Sequence, residues 1–123
     1  MRLYIAGPMT GLPEFNFPAF NEAAKLLRDA GYQVCNPAEN FAGRVDLPRA
    51  VYIRADLKAL LECDGIVLLP NWRYSAGARM EHQVGVELEL PAGSVGLWLS
   101  AAKVMPPLNG PPAIPSNLAA DYR

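Results

Sequence analysis

The pentapeptide Gly65 to Leu69, GIVLL, shows no polar alternation. A strand of this kind is buried on both faces, which is the condition of a parallel sheet covered by helices. The flanking sequence agrees, because short apolar runs alternate with helical periodicity from Met1 to about Leu99, the mark of βαβ units. Three further strands are expected: Arg2 to Ala6 (RLYIA), Tyr32 to Cys35, and roughly Ser94 to Leu99 (SVGLWL). Three helices lie between them. The first follows Pro18, carries Phe20, Ala24 and Leu27, and stops at Gly31. The second runs from about Pro48 to Glu62 with Ile53, Leu57, Leu60 and Leu61 on its core face. The third starts after Ser75, an N-cap residue type, carries an apolar stripe of Met80, Val84 and Leu88, and is stopped by Pro91. The aperiodic segment from Asn36 to Leu47 is long for a connection and is a candidate lid or substrate loop.

Size and composition narrow the function classes. A chain of 123 residues suits one domain that buries roughly two-thirds of its unfolded surface. No apolar run approaches the ~20 residues of a membrane span. Eleven basic against twelve acidic residues give a net charge of −1, which argues against a nucleic-acid polymer or a membrane surface as partner. The opening MRLYIAGPMTG reaches Gly-Pro too soon for a secretory signal, so a cytoplasmic protein is expected. Cys35 and Cys63 form no CxxC pair and read as small buried thiols, and His82 has no metal-ligand spacing around it. Of twelve prolines, Pro106, Pro107, Pro111, Pro112 and Pro115 crowd the C-terminus. The organisation expected is therefore an α/β domain over 1–105 and a Pro-rich extension over 106–123.

Ligands of an open α/β sheet bind at the carboxyl ends of the strands. Three unusual segments map there: Gly7-Pro8-Met9-Thr10-Gly11, Asn36-Pro37, and the run from Pro70 through Trp72, Arg73, Tyr74 and Ser75 into Ala76-Gly77-Ala78. The first fits neither the P-loop nor the dinucleotide fingerprint and by itself reads as a turn. In the third, small residues behind Ser75 leave a helix N-terminus open to an anion such as phosphate. Glu81 lies four residues after Gly77, on the same helix face, and its side chain leans toward that opening. Read alone, it is more simply an ordinary solvent-facing helix glutamate. Asp56 sits at the margin of the second helix's buried face, where a carboxylate is usually just solvated. Trp72 and Tyr74 could stack on a base or cap the sheet edge, while Arg54, Arg73 and Arg79 read as phosphate ligands or surface charges.

Taken together, YIAGPMTG, the segment DLKALLECDGIVLLPNW from Asp56, and SAGARMEHQVG from Ser75 resemble the nucleoside 2-deoxyribosyltransferase-like superfamily. The first hundred residues look most like a small uncharacterised phage and bacterial branch of it, related to deoxynucleoside 5′-monophosphate N-glycosidases. The resemblance implies a single flavodoxin- or Rossmann-like α/β domain with a parallel sheet of four to five strands flanked by helices. It also implies cleavage of the N-glycosidic bond of a 2′-deoxynucleoside or its 5′-monophosphate, by transfer or by hydrolysis. Glu81 would be the nucleophile at C1′, and Asp56 would position substrate or move a proton. Ser75, Gly77, Gly7 and Thr10 would hold the phosphate, with Pro8, Trp72 and Tyr4 as further substrate contacts. No cofactor or metal is implied. Relatives complete the site with a polar residue from a neighbouring subunit, so a homodimer or higher homo-oligomer is expected; Asn109 and Asn117 are the candidates for that residue. The competing readings are a nucleotide-binding sensor or sequestering protein without effective chemistry, and an interaction module acting through the Pro-rich tail.

Overall fold

The computed structural model of the protein describes residues 1–106. Four parallel strands, β1 (Arg2–Ala6), β2 (Gln33–Cys35), β3 (Gly65–Leu68) and β4 (Ala92–Gly93), stand in the order β2-β1-β3-β4. They alternate with α1 (Phe17–Asp29), α2 (Arg49–Leu61), α3 (Ala76–Glu87) and α4 (Val95–Val104). The fold is α/β with helices on both faces of the sheet, as the apolar strand pattern requires.

Strand alternation distributes the core. Leu3 and Ile5 of β1 and Val67 of β3 point to the face covered by α1 and α4, where Phe20, Ala23, Ala24, Leu27 and Trp98 meet them. Tyr4, Ala6 and Ile66 point to the other face, against Leu60 of α2 and Ala78 of α3. From β1 the chain moves outward to β2, then crosses back to β3 on the far side. The carboxyl ends of β1 and β3 therefore flank the point where strand order reverses, and a crevice opens there.

The run Ser94 to Leu99 is not a strand. The fourth strand is the preceding pair Ala92–Gly93, and SVGLWL opens α4. A short apolar run does not by itself distinguish strand from helix. Here the Ser94 side chain accepts the Leu97 backbone N–H as an N-cap, and Val95, Trp98, Leu99 and Ala102 fall at helical spacing toward the α1 face. Trp98 fixes the helix, because its indole N–H donates to Ile66 O at 2.8 Å and its own carbonyl accepts Tyr32 Oη at 2.7 Å. Gly65 passes under the indole so closely that a Cβ there would stand 2.7 Å from Trp98 Cη2.

Two core faces also differ from the expected ones. Leu61 on α2 is 60% exposed; Leu60 is the fully buried residue of that turn. On α3 the buried stripe is Ala78, Glu81 and Gly85, while Leu88 is 44% exposed. Small residues face the sheet, with Val84 packed beside them, because α3 lies close to β3: a Cβ on Gly85 would clash with Ile66 Cδ1. That close approach carries Glu81 inward with it. The expected tail beyond Pro106, including Asn109 and Asn117, lies outside the described residues.

Candidate active site

The crevice at the carboxyl ends of β1 and β3 is a cavity of about 660 Å³, walled by the loop after β1, the loop after β2, one side of α2 and the start of α3. The loop after β1 begins at Gly7, where β1 and β3 run so close that a Cβ would meet Leu69 Cβ at 2.8 Å. Gly11 turns the loop with φ +83, and Asn16 Nδ2 donates to Pro8 O at 2.9 Å, tying it to the short 3-10 turn before α1. The loop after β2 is fastened to α1 by Arg28, which donates to both carboxylate oxygens of Glu39 at 2.7 and 2.8 Å, and by Asn36 on Asn21 at 2.9 Å. Asn40 and Arg44 on that loop reach the cavity wall. Tyr52 of α2 clasps the far end of the loop, donating to Arg44 O and accepting from Leu47 N.

Glu81 is 8% exposed, and its carboxylate accepts a hydrogen bond from the buried Tyr4 hydroxyl. Burial in the wall pushes Glu81 up to about 8; the Tyr4 bond opposes that shift and the charge of Asp56 adds to it. The Tyr4 phenol is raised well above its ordinary range, first by burial and then by the Glu81 charge. Asp56, half-buried on α2, is raised by burial to about 6, against the hydrogen bond it accepts from Asn40 Nδ2 at 3.1 Å. Two carboxyl groups in one cavity wall are thus both held far from the ordinary carboxylate range, and burial is the main cause of each shift. Groups shifted in this way concentrate where proton or nucleophile chemistry is done.

At the start of α3 the Ser75 Oγ accepts the Ala78 N–H at 3.2 Å, so the hydroxyl keeps its proton to donate to a ligand. Gly77 follows without a side chain. A Cβ built there meets only Ser75 Oγ, at 3.9 Å, outside the helix's own backbone. Packing therefore does not demand a glycine at this position; its absent side chain leaves room beside the helix N-terminus, where anions are favoured.

Tyr4, Gly7, Pro8, Thr10, Asp56, Ser75, Gly77 and Glu81 all face this one cavity. Trp72 does not. It lines a separate groove between α1 and α4, with its ring 4.5 Å from His82 and the Arg73 guanidinium above it. Tyr74 borders both and is largely exposed. Arg54, Arg73 and Arg79 are exposed and outside the cavity wall, whereas Arg44 and Arg49 belong to it. No spacing in the sequence marks Asn40 or Tyr52; their roles come from hydrogen bonds across the β2–α2 connection. Among the described residues no cluster of His, Cys, Asp and Glu has the makings of a metal site, and no helix is long and apolar enough to cross a membrane.

The fold resembles that of a 2-deoxyribosyltransferase from the psychrotolerant bacterium Bacillus psychrosaccharolyticus, with a TM-score of 0.61 and 23% identity over 75% of this chain and 69% of that one. At that identity the likeness is one of fold. No curated protein matches the chain. Residues 1–92 match the family described as "Domain of unknown function (DUF4406)", and the chain belongs to that family.

Proposed function

We propose that the protein cleaves the N-glycosidic bond of a 2′-deoxynucleoside or its 5′-monophosphate, passing the deoxyribosyl group to a second base or to water. The observation that carries this reading is Glu81, a carboxylate buried in the wall of a ligand-sized cavity and held by Tyr4. The 2-deoxyribosyltransferase likeness of the fold supports the same chemistry. A Glu81 oxygen attacks C1′ as the C1′–N bond breaks and its electron pair leaves with the base. Asp56, whose raised affinity for a proton suits a general acid, gives that proton to the departing base. A second base or a water then attacks C1′, yields its proton to Asp56, and frees Glu81. Tyr4 steadies Glu81 in its ionised form, because a hydrogen bond donated to a carboxylate favours the charge. The N-terminus of α3 with Ser75 and Gly77, and the Gly7 to Thr10 loop, receive the sugar and its 5′-phosphate. A homodimer or higher homo-oligomer, with a neighbour completing the cavity, belongs to the same proposal, as does kinship with the 5′-monophosphate N-glycosidases.

One observation favours a second reading, a binding or sequestering protein. Burial raises the affinity of Glu81 for a proton to about 8, which favours the protonated form, and in that form it is no nucleophile. Incubating the full chain with each deoxynucleoside and deoxynucleoside 5′-monophosphate, with and without a second base, and following free base and exchanged nucleoside separates the two. Release or exchange abolished by Glu81→Gln supports the enzyme. Thermal stabilisation by a nucleotide without turnover, unchanged in Glu81→Gln, supports binding alone.

A further inference from the structure

Away from the cavity, the structure brings together two thiols that the proposed chemistry does not use. Cys35 closes β2 and is half-buried; Cys63 is buried in the link from α2 to β3, 28 positions later. Their sulfur atoms are 3.4 Å apart, with the Cys63 S–H donating to Cys35 Sγ. Neither partner is on a free segment. Cys35 is held in the ladder opposite Tyr4. The residue after Cys63 is bonded twice to the first strand: Asp64 N donates to Arg2 O at 2.7 Å, and Arg2 N donates to Asp64 Oδ2 at 2.8 Å. The pair is therefore built into the sheet.

We propose that Cys35 and Cys63 are a hydroperoxide-reactive dithiol that closes to an intramolecular disulfide. Cys35, the more exposed sulfur, is the attacking group, and Cys63 resolves it. The Cys35 thiolate attacks one oxygen of hydrogen peroxide, the O–O bond breaks, and hydroxide leaves and takes a proton as water. The Cys63 sulfur then attacks Cys35 Sγ and expels the remaining oxygen as a second water. Two thiols and one peroxide give one disulfide and two waters, with the sulfurs oxidised and the peroxide reduced. Three features favour the first step: the S–H bond from Cys63, which steadies a negative Cys35 sulfur, and the charges of Arg2 and Arg28 nearby. Together they bring the Cys35 thiol below its ordinary range, against burial and the nearby Glu62 charge, which raise it. Closure needs the sulfurs to approach from 3.4 Å to about 2.05 Å. The bond would fasten β2 to the foot of β3 and enclose the connection that carries Asn40 and Asp56.

The test uses the full chain, reduced and then exposed to hydrogen peroxide with dithiothreitol-treated protein as control. Non-reducing tryptic digestion should yield peptides 29–44 and 59–73 joined, lighter than their sum by two hydrogen atoms, in a protein that stays monomeric on non-reducing gels. The oxidised chain should melt several degrees higher, because the closed loop constrains the unfolded state, and the Cys35→Ser and Cys63→Ser variants should lose that rise. Dimedone should trap a sulfenic acid on Cys35 in Cys63→Ser, and circular dichroism checks that this variant folds. Both thiols remaining open to alkylation after peroxide, oxidation of Cys35 beyond the sulfenic stage in the parent chain, or disulfides only between chains would each overturn the proposal.

Discussion

The hydroxyl of Tyr4, in the middle of the first strand, donates a hydrogen bond to the carboxylate of Glu81, 77 positions away on α3. Both residues are buried, so the bond works in a medium that screens it little. It joins the centre of the sheet to the one charged side chain on the buried stripe of α3. If Glu81 is the nucleophile, Glu81→Gln keeps the bond and the shape but cannot attack C1′, and turnover should fall about 10³-fold or more. Tyr4→Phe removes only the donor, and a lost hydrogen bond to a charged group predicts a fall of roughly 10- to 100-fold. The acid limb of the pH profile should also move upward, since nothing then opposes the burial of Glu81. Steady-state kinetics on the same deoxynucleoside panel reads both effects, and equal rates for parent and Glu81→Gln would remove Glu81 from the chemistry.

Glu81 also makes stability depend on pH. The folded protein holds its proton up to about 8, whereas the unfolded chain releases it at the ordinary 4.5. The folded state binds the extra proton in that window, so stability is greatest below it, falls by up to a few kcal/mol as pH rises through it, and levels off above. Asp56 adds a decline of the same sign between 3.8 and about 6. Urea unfolding midpoints measured from about pH 5 to about pH 8 should drift downward. In Glu81→Gln the part of the drift above about pH 6 should vanish.

Asn40 acts on Asp56 from the neighbouring loop, its amide donating at 3.1 Å. Removing a donor to a carboxylate favours the protonated form, so Asn40→Ala should raise the Asp56 titration above about 6. Carbon-detected NMR titration of the side-chain carboxyl reads this without substrate. A titration that stays in place would mean that the amide does not bear on Asp56.

Gly77 separates a role in binding from one in folding. A methyl group there meets nothing closer than 3.9 Å outside the helix backbone, and alanine in a helix is favoured over glycine by up to about 1 kcal/mol. Gly77→Ala should therefore leave the melting temperature unchanged or higher, yet weaken nucleotide binding by roughly 10-fold or more, as a methyl would occupy anion space. Calorimetric titration with a deoxynucleoside monophosphate measures the second effect. Undiminished affinity would place the phosphate elsewhere.

Gly65 tests how α4 is seated. A Cβ there would stand 2.7 Å from Trp98, whose ring cannot retreat without giving up its bond to Ile66 O. Gly65→Ala should cost about 1–3 kcal/mol by overpacking and should alter tryptophan fluorescence. Gly96→Ala, where the nearest atom is Ser94 Oγ at 3.9 Å, serves as the silent control.

Local patterns in the chain were sufficient for β1, β2, β3 and the first three helices, because strand and helix periods are written in residues a few positions apart. The Ser75 cap and the shared face of Gly77 and Glu81 were legible for the same reason. Run length misled at SVGLWL, where an apolar hexapeptide suits either state and Ser94 capping with Trp98 docking decides for helix. Periodicity also gave only part of the core stripe of α3, since Val84 packs on the core and Leu88 does not. The large residues Met80, Val84 and Leu88 form one helical row, but the helix turns its small row, Ala78 and Gly85, to the sheet so that it can lie close to β3.

The sequence by itself determined the layers of this protein and the helix end at which Glu81 stands. Only the tertiary structure decided that Glu81 is buried, that Tyr4 holds it, that Asn40 reaches Asp56, that Trp72 lies apart from them, and that Cys35 meets Cys63. The physical reason is the parallel topology. Tyr4 with Glu81 and Cys35 with Cys63 are joined across strand-to-strand connections, and Asn40 with Asp56 by the folding of one connection on itself. The face a residue presents follows from its local period, while what meets that face depends on where the returning chain is laid down.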